Sequence, residues 1–363
     1  MENLAMTAFA RSYQGRRVLL TGHTGFKGSW LAAWLVELGA EVVGFSLPCE
    51  QDGNADHWAA LRLPVTDLRG DIRDACALQR LLAEQQPEIV FHLAAQSLVR
   101  PSYRQPLDAW SSNVLGTANL LEACRVTPGV AAVVVVTTDK VYANREWPWG
   151  YRECDELAGH DPYSASKAAT ELVCDSYRKS FWQQSGPLLA TARAGNVIGG
   201  GDWAEDRLIP DLVRAVQTGQ TLQIRSPSST RPWQHVLECL SGYLLLGQRL
   251  LEGDRSCADA WNFGPAPEAN RSVAEILQAL REHWPALSWH AASDDGLHEA
   301  RLLYLDSAKA RSGLHWAPVW SLHTALQMTA EWYRRSHERG EVCTREQLLH
   351  FINAARQVGC VWA

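Results

Sequence analysis

One stretch near the start constrains this chain more than any other: VLLTGHTGFKGSWLAAWL, residues 18–35. Arg17 to Thr21 reads as a strand and Phe26 to Leu38 as a helix with an apolar stripe. Between them stand Gly22, Gly25 and Gly28 in GxxGxxG spacing. Glycine at such a turn permits backbone angles that other residues avoid, and lets the main chain approach a pyrophosphate closely. The open amides at the helix N-terminus then face the phosphates. A glycine triplet alone means little, but at a strand-to-helix junction it predicts a dinucleotide site. The alternation continues with strands at Glu41–Leu47, Glu88–Ala94, Ala131–Thr138 and Leu188–Ala194. Helical stretches separate them at Asp74–Gln85, at Pro106–Cys124 and from Pro162 onward. Ala131–Thr138 is so apolar that both of its faces must be buried, as in a parallel sheet.

Strands that alternate with helices imply right-handed crossovers, hence an α/β chain with a Rossmann-type doubly wound parallel sheet. Beyond Gly195 the rhythm weakens. GNVIGGGDW, SPSSTRPW and NFGPAPEAN predict loops and short helices forming a smaller C-terminal substrate-binding α/β cap. The expected division is 1–194 for the NAD-binding domain with the catalytic residues, and 195–345 mainly for the cap, with some chain returning to the core. Residues 346–363 form a tail, within a stretch from Thr344 to Ala363 that reads as a short amphipathic helix. A chain of 363 residues, 46% of them hydrophobic, has material for such a core. A net charge of −6 with no long basic run gives no support to nucleic-acid binding. Apolar runs such as Ala131–Val136 are too short to span a bilayer, so no membrane partner is expected. The N-terminus does not read as a secretion signal, and nine cysteines without CxxC pairs suit reduced thiols in a cytoplasm rather than disulfides or a metal. Of sixteen tryptophans, Trp203, Trp233 and Trp289 fall where an aromatic-lined pocket would be useful, although ordinary packing explains most of them.

The chemistry concentrates in two places. In DPYSASK, Asp161 can cap a helix, Pro162 suits its first turn, and Tyr163 and Lys167 share one face at i and i+4. A free tyrosine ionises near pH 10 (about 10), too high for a base at neutral pH. A neighbouring ammonium together with a positive nicotinamide would favour the phenolate. The apolar strand before it runs into TTDKVY, where Thr138 can hydrogen-bond a hydroxyl undergoing oxidation. Asp139 and Lys140 follow at the carboxyl end of a parallel strand, where ligands bind. A plain oxidoreductase or epimerase needs only the hydroxyl, tyrosine and lysine, so the extra acid and amine suggest a second proton transfer. HLAAQ, residues 92–96, ends another strand, and small Ala94 and Ala95 would let a cofactor lie against the backbone. Ser46-Leu47-Pro48 supply neither an acid for the adenosine ribose nor an arginine for a 2′-phosphate, which favours NAD over NADP. In the cap, Asn196 is placed to donate to a diphosphate, with Arg207 and Arg231, and less strongly Arg301, as charge-assisted partners.

On TGHTGFKGSWL, HLAAQSLVRPSY, NVLGT, TTDKVY, PYSASK, RAGNVIGGGDWAEDRLIPD, TRPWQHVLE and HEARLLYLD, most of the chain resembles the sugar-nucleotide branch of the extended short-chain dehydrogenases. Within that branch it most resembles the CDP-glucose 4,6-dehydratases. The dTDP-glucose dehydratases typically carry Asp-Glu where this chain has Asp139-Lys140. Inverting UDP-N-acetylglucosamine dehydratases also use Asp-Lys, but differ in the glycine loop and the later RAGNVIGGGDW run. The resemblance implies NAD held by Gly22, Thr24, Gly25, Phe26, Lys27 and Gly28, by Asp71 and Ile72 at the adenine, by Leu93, Ala94 and Ala95, and by Tyr163 and Lys167. It implies a nucleotide sugar, CDP-glucose, held by Gln96, Asn196, Arg207, Leu208, Ile209, Arg231 and Arg301. The reaction it implies is oxidation at carbon 4 by Tyr163 and Thr138, loss of water across carbons 5 and 6 with Asp139 as acid and Lys140 as base or water-ordering group, and hydride return to carbon 6. Deoxysugar biosynthesis, with lipopolysaccharide O-antigen as one destination, and a homodimer or homotetramer paired through helices in 104–125 and 163–184 complete the expectation. A 4-epimerase or another dehydratase on the same scaffold, and a non-catalytic NAD-binding sensor, are the alternatives.

Overall fold

A computed structural model describes residues 7–48, 54–224, 226–291 and 302–363. Seven strands form the central sheet: β1 (Arg17–Thr21), β2 (Glu41–Ser46), β3 (Thr66–Arg69), β4 (Ile89–His92), β5 (Ala132–Val136), β6 (Leu188–Ala194) and β7 (Ala260–Phe263). Their order is β7-β6-β5-β4-β1-β2-β3, every neighbouring pair parallel. Chain order reverses between β1 and β4, and a crevice opens there at the carboxyl ends of the strands. Alternation along β5 builds both faces at once. Val134 and Val136 enter one apolar cluster and Val133 and Val135 the other.

Helix α1 (Phe26–Glu37) packs on the first face. Helices α2 (Ala75–Gln85), α3 (Gly116–Val126) and α4 (Pro162–Ser180) cover the second. The helix expected across Pro106–Cys124 is interrupted by a π-turn at Ser111–Leu115. The carbonyl of Asn113 in that turn accepts hydroxyl hydrogen bonds from Thr117 at 2.7 Å and Thr170 at 2.9 Å. These side-chain donors compensate for the altered helical ladder.

The second half departs from the loops and short helices expected of it. Besides α5 (Leu208–Gln217) and α7 (Val273–His283), it holds α6 (Val236–Leu251) and α8 (Leu322–Arg339), of 16 and 18 residues. Helix α6 packs beneath β5 and β6, and nearly all of its residues are buried. Such burial on nearly every side makes it a core helix rather than a surface one. The cap proper is made of short pairs: Leu222–Ile224 parallel to Trp289–Ala291, and Thr230–Pro232 antiparallel to Asn270–Ser272. The last helix, α9 (Thr344–Gln357), docks on α1, where the Thr344 hydroxyl meets His57 at 2.8 Å and Arg345 pairs with Glu37 at 2.6 Å. Phe9 stacks on Trp362 with centroids 5.1 Å apart, so the two ends of the described chain clasp each other. Trp30, Trp34, Trp316, Trp332 and Trp362 are all fully buried, which makes packing their role.

Candidate active site

A cleft of 1810 Å³ lies at the strand ends, between the sheet and the cap. Its floor is the glycine turn. Gly22 has φ +75°, and a Cβ there would stand 2.6 Å from the Ala94 nitrogen; one at Gly28 would stand 2.0 Å from the Gly22 carbonyl oxygen. Gly25 caps α1 without any side-chain hydrogen bond, so the first amides of the helix have no side-chain acceptor. Thr24, Phe26, Lys27, Leu93, Ala94 and Ala95 also line the cleft. This backbone cradle, which any Cβ would fill, fits a dinucleotide pyrophosphate.

Asp71 and Ile72 stand apart from the cleft lining. The Asp71 carboxylate accepts from the backbone and guanidinium of Arg73, at 2.8 Å and 2.6 Å, and this partner holds its pKa below the usual carboxylate range. Ile72 is buried against Gly116. At the end of β2 a hydrogen-bonded chain runs from Ser46 through His23 to Asp67 on the next strand. The Ser46 hydroxyl accepts from the Thr24 amide at 3.4 Å and meets His23 Nδ1 at 2.8 Å, while His23 Nε2 meets Asp67 at 2.9 Å. Burial lowers the His23 pKa, so the neutral ring bridges the glycine turn to β3.

On the reacting side, Asp161 caps α4 by accepting from the Ser164 amide at 2.9 Å, and Tyr163 and Lys167 both face the cleft. Lys167 Nζ donates to the Val136 carbonyl at 2.9 Å; burial, with the Lys27 ammonium nearby, pushes its pKa down to about 8. Burial pushes Tyr163 up to about 12, opposed by the hydrogen bond with Thr138 and the charge of Arg207. The neighbouring ammonium therefore does not by itself bring the phenol into the working range. Asp139 is 1% exposed; Oδ1 accepts from Thr138 at 3.0 Å and lies 3.7 Å from the Lys140 ammonium. Its Oδ2 is buried without a protein partner, beside Gly195. A carboxyl oxygen left open at the cleft can hold or deliver a proton to a ligand.

Asn196, Arg207, Leu208, Ile209 and Arg231 line the far arm of the cleft. Arg207 is held by Asp202 at 3.0 Å, and Arg231 donates to the Thr230 carbonyl at 2.8 Å. Gln96 is not part of the lining: its side-chain amide donates to the Leu98 carbonyl at 3.0 Å and its backbone to Asn113 at 2.9 Å. Arg301 lies outside the described residues. Trp203 and Trp233 border the cleft, while Trp289 sits in a cap strand away from it. Among the described residues no group of three His, Cys, Asp or Glu side chains is placed to hold a metal.

Sequence reasoning missed a buried network behind the strand end. Glu171 on α4 accepts from Thr137 at 2.5 Å and Thr191 at 2.6 Å, and pairs with Arg193 through two contacts of 2.9 Å. Arg193 also donates to the Tyr142 hydroxyl at 2.7 Å, which donates to Asn262 at 2.8 Å. Its members come from five segments. Only the Tyr that ends TTDKVY and the Arg that opens RAGNV hinted at it.

The sequence profile of the GDP-mannose 4,6 dehydratase family matches residues 19–329. The chain is 45% identical to a CDP-glucose 4,6-dehydratase of Salmonella typhimurium, over 94% of this chain and 98% of the relative. The crystal structure of DesIV, a dTDP-glucose 4,6-dehydratase of Streptomyces venezuelae solved with NAD bound, superposes with a TM-score of 0.77 at 27% identity, covering 89% of this chain and 98% of that one. The epimerase Mth375 of Methanothermobacter thermautotrophicus superposes with a TM-score of 0.80 at 25% identity, over 92% and 96%. A glycine cradle, a Thr–Tyr–Lys set and an acid-bearing strand end on one doubly wound sheet agree with the profile: the chain belongs to the GDP-mannose 4,6 dehydratase family.

Proposed function

We propose that the protein is an NAD-dependent hydro-lyase that converts CDP-D-glucose to CDP-4-dehydro-6-deoxy-D-glucose. The observation that carries this reading is the buried Asp139 in the cleft lining, its Oδ2 without a protein partner, one residue from Thr138 and beside Lys140. The identity with the Salmonella typhimurium enzyme supports CDP-glucose over other nucleotide sugars. When bound, NAD supplies a hydride acceptor for carbon 4 and a donor for carbon 6. Thr138 orients the carbon-4 hydroxyl and Tyr163 takes its proton, helped by the charge of the oxidised nicotinamide against the burial that holds the phenol neutral. Lys167 holds the nicotinamide ribose. Once carbon 4 is a ketone the carbon-5 proton becomes acidic; Lys140 removes it or orders the water that does, and Asp139 protonates the leaving carbon-6 hydroxyl. Arg207, Arg231 and Asn196 anchor the diphosphate, with Leu208 and Ile209 toward the base, so that binding energy far from the reacting carbons orients the sugar.

Two further features extend the reading. Leu107, Trp110, Leu115 and Leu172 are exposed by 80%, 40%, 60% and 61% on the helices flanking the π-turn and on α4, an apolar face suited to pairing with a second copy as a homodimer or dimer of dimers. Leu107→Glu should shift sedimentation toward the monomer; an unchanged species would reject that face. No helix of the described residues is long and apolar enough to cross a membrane, and the scattered thiols suit a cytoplasmic setting. The product would feed deoxysugar biosynthesis, O-antigen being the destination the resemblance favours.

The test is incubation of the purified protein with NAD and a panel of CDP-, dTDP-, UDP- and GDP-sugars. A keto-sugar chromophore from CDP-glucose without lasting reduced cofactor is expected; a 4-epimer, or no turnover at all, would overturn the reading. Asp139→Asn keeps the side chain's volume but delivers no proton, so elimination should fall by about 10²- to 10⁴-fold while carbon-4 oxidation persists.

A further inference from the structure

Asp139 and Lys140 sit on a single 3₁₀ turn, Asp139–Val141, just beyond β5. What fixes the turn lies behind it. Val141 is fully buried, its carbonyl accepts from the Ala158 amide at 2.8 Å, and the next residue, Tyr142, plunges between strands. The Tyr142 ring stacks on Tyr151 at 5.2 Å, and the Arg193 guanidinium lies 5.1 Å from its centroid. Its hydroxyl accepts from Arg193 on β6 and donates to Asn262 on β7, within a pair of strands that Glu171 ties to β5 and α4. Tyr142 is 2% exposed and borders the cleft, but its hydroxyl hydrogen-bonds Arg193 and Asn262 rather than the catalytic set.

Tyr163 and Lys167 are held differently. The Tyr163 amide accepts no help from this network; it donates to the Ser102 hydroxyl at 3.2 Å. Ser166, one position before Lys167, is held by Asn113 at 2.8 Å, and Lys167 itself by Val136. The N-terminal end of α4 is thus fixed by the π-turn and the Asp139–Lys140 turn by Tyr142, and the two supports meet two turns along α4, where Glu171 pairs with Arg193.

We infer that Tyr142 is a positioning residue weighted toward the elimination half of the reaction: its hydroxyl sets the Asp139–Lys140 turn, while Tyr163 and Lys167 keep supports of their own and Thr138, which caps the turn, is shared by both halves. The inference rests on the dehydratase reading. Removing the hydroxyl leaves Arg193 and Asn262 each short of a buried partner, and the turn is then free to shift relative to the sugar. A displacement on the scale of an ångström costs up to about 10²-fold in a step that needs aligned proton transfer.

The experiment is single turnover of the NAD-loaded protein with CDP-glucose, following absorbance of the reduced cofactor and formation of the keto-deoxy sugar. In Tyr142→Phe the reduced cofactor should form with the smaller loss, because only Thr138 of the oxidation set rides on the turn, and then decay between about 10- and 100-fold more slowly, so that it accumulates. Arg193→Lys keeps a cation opposite Glu171 but loses the fork that reaches Tyr142, and should show the same imbalance. Formation and decay slowing to the same extent, or neither changing in a folded variant, would overturn the inference. Failure of the wild-type protein to reduce NAD or make the keto sugar would instead reject the reading beneath it.

Discussion

Three buried histidines should make this fold sensitive to mild acid. His57 lies between the Ser29 and Thr344 hydroxyls, at 2.9 Å and 2.8 Å, and His92 between Thr21 and Thr117, at 2.7 Å and 3.1 Å. His235 caps α6 and is wedged against Trp30 and Trp320. All three are at most 2% exposed, and burial pushes each pKa from 6.5 down to about 3. A depressed histidine contributes stability that is complete above its unfolded pKa and is lost as pH falls from 6.5 toward 3, because only the unfolded chain takes up the proton. Glu238 acts oppositely. Burial raises its pKa to about 8, so its contribution is full below the unfolded carboxylate range and fades as pH climbs to about 8.

Between pH 5 and 6 the three histidines take up roughly three protons on unfolding and Glu238 releases about one, a net uptake near two. At about 1.4 kcal/mol per proton per pH unit, stability should fall by roughly 3 kcal/mol for each unit of acidification, with His23, also lowered by burial, adding to the uptake. That is a large fraction of the about 5–15 kcal/mol that holds a typical domain together. Above pH 6.5 the slope reverses to a gentle decline as the Glu238 contribution fades toward pH 8. The maximum should therefore lie near neutrality on the acid side. Urea unfolding at a series of pH values, with proton uptake read from two buffers, measures the slope. His57→Gln should lessen it by about one proton, or 1.4 kcal/mol per unit. Stability that stays level from pH 6.5 to 5, or a slope unaltered in His57→Gln, would refute the reasoning.

Gly28→Ala places a methyl group 2.0 Å from the Gly22 carbonyl oxygen. Relieving that overlap should cost about 1–3 kcal/mol and lower NAD affinity about 10- to 100-fold by calorimetry of the cofactor-free protein, and unaltered binding would mean that the cradle is not where the pyrophosphate sits. Trp362→Ala removes a ring packed among Phe9, Trp34 and Phe351. It should destabilise the fold by about 3–5 kcal/mol in denaturant, whereas a loss below about 1 kcal/mol would show that the clasp between the chain ends is dispensable.

What could be read from the sequence was what is local. The glycine turn, the capped YxxxK helix and the TTDKVY strand end each carry their chemistry within a few consecutive residues, and they meet in the cleft because the parallel sheet gathers its strand ends on one side. The Asp71 carboxylate shows the limit of local reading, since Arg73, two residues on, takes its oxygens. The Ser46–His23–Asp67 chain beside the glycine turn escaped because its members come from three segments that only the folded sheet brings together. Helices α6 and α8 carry helical periodicity of their own, and escaped because the glycine- and proline-rich stretches around them read as loops.

The two supports behind the cleft bear on how one scaffold carries more than one reaction. An oxidation at carbon 4 needs Thr138, Tyr163 and Lys167, and those on α4 are held from the π-turn through Asn113 and Ser166. Elimination adds only the next two side chains on the strand, and their turn is held from the far edge of the sheet through Tyr142, Arg193 and Asn262. The supports meet at Glu171 and at Thr138, so substitutions confined to the Asp139 and Lys140 side chains, which leave those joints in place, can add or remove a proton transfer with little disturbance to the hydride chemistry. An epimerase-like ancestor would then need a new pair of side chains on a turn already fixed, rather than a new site. The superposition with the epimerase Mth375 over most of both chains agrees with that economy of change.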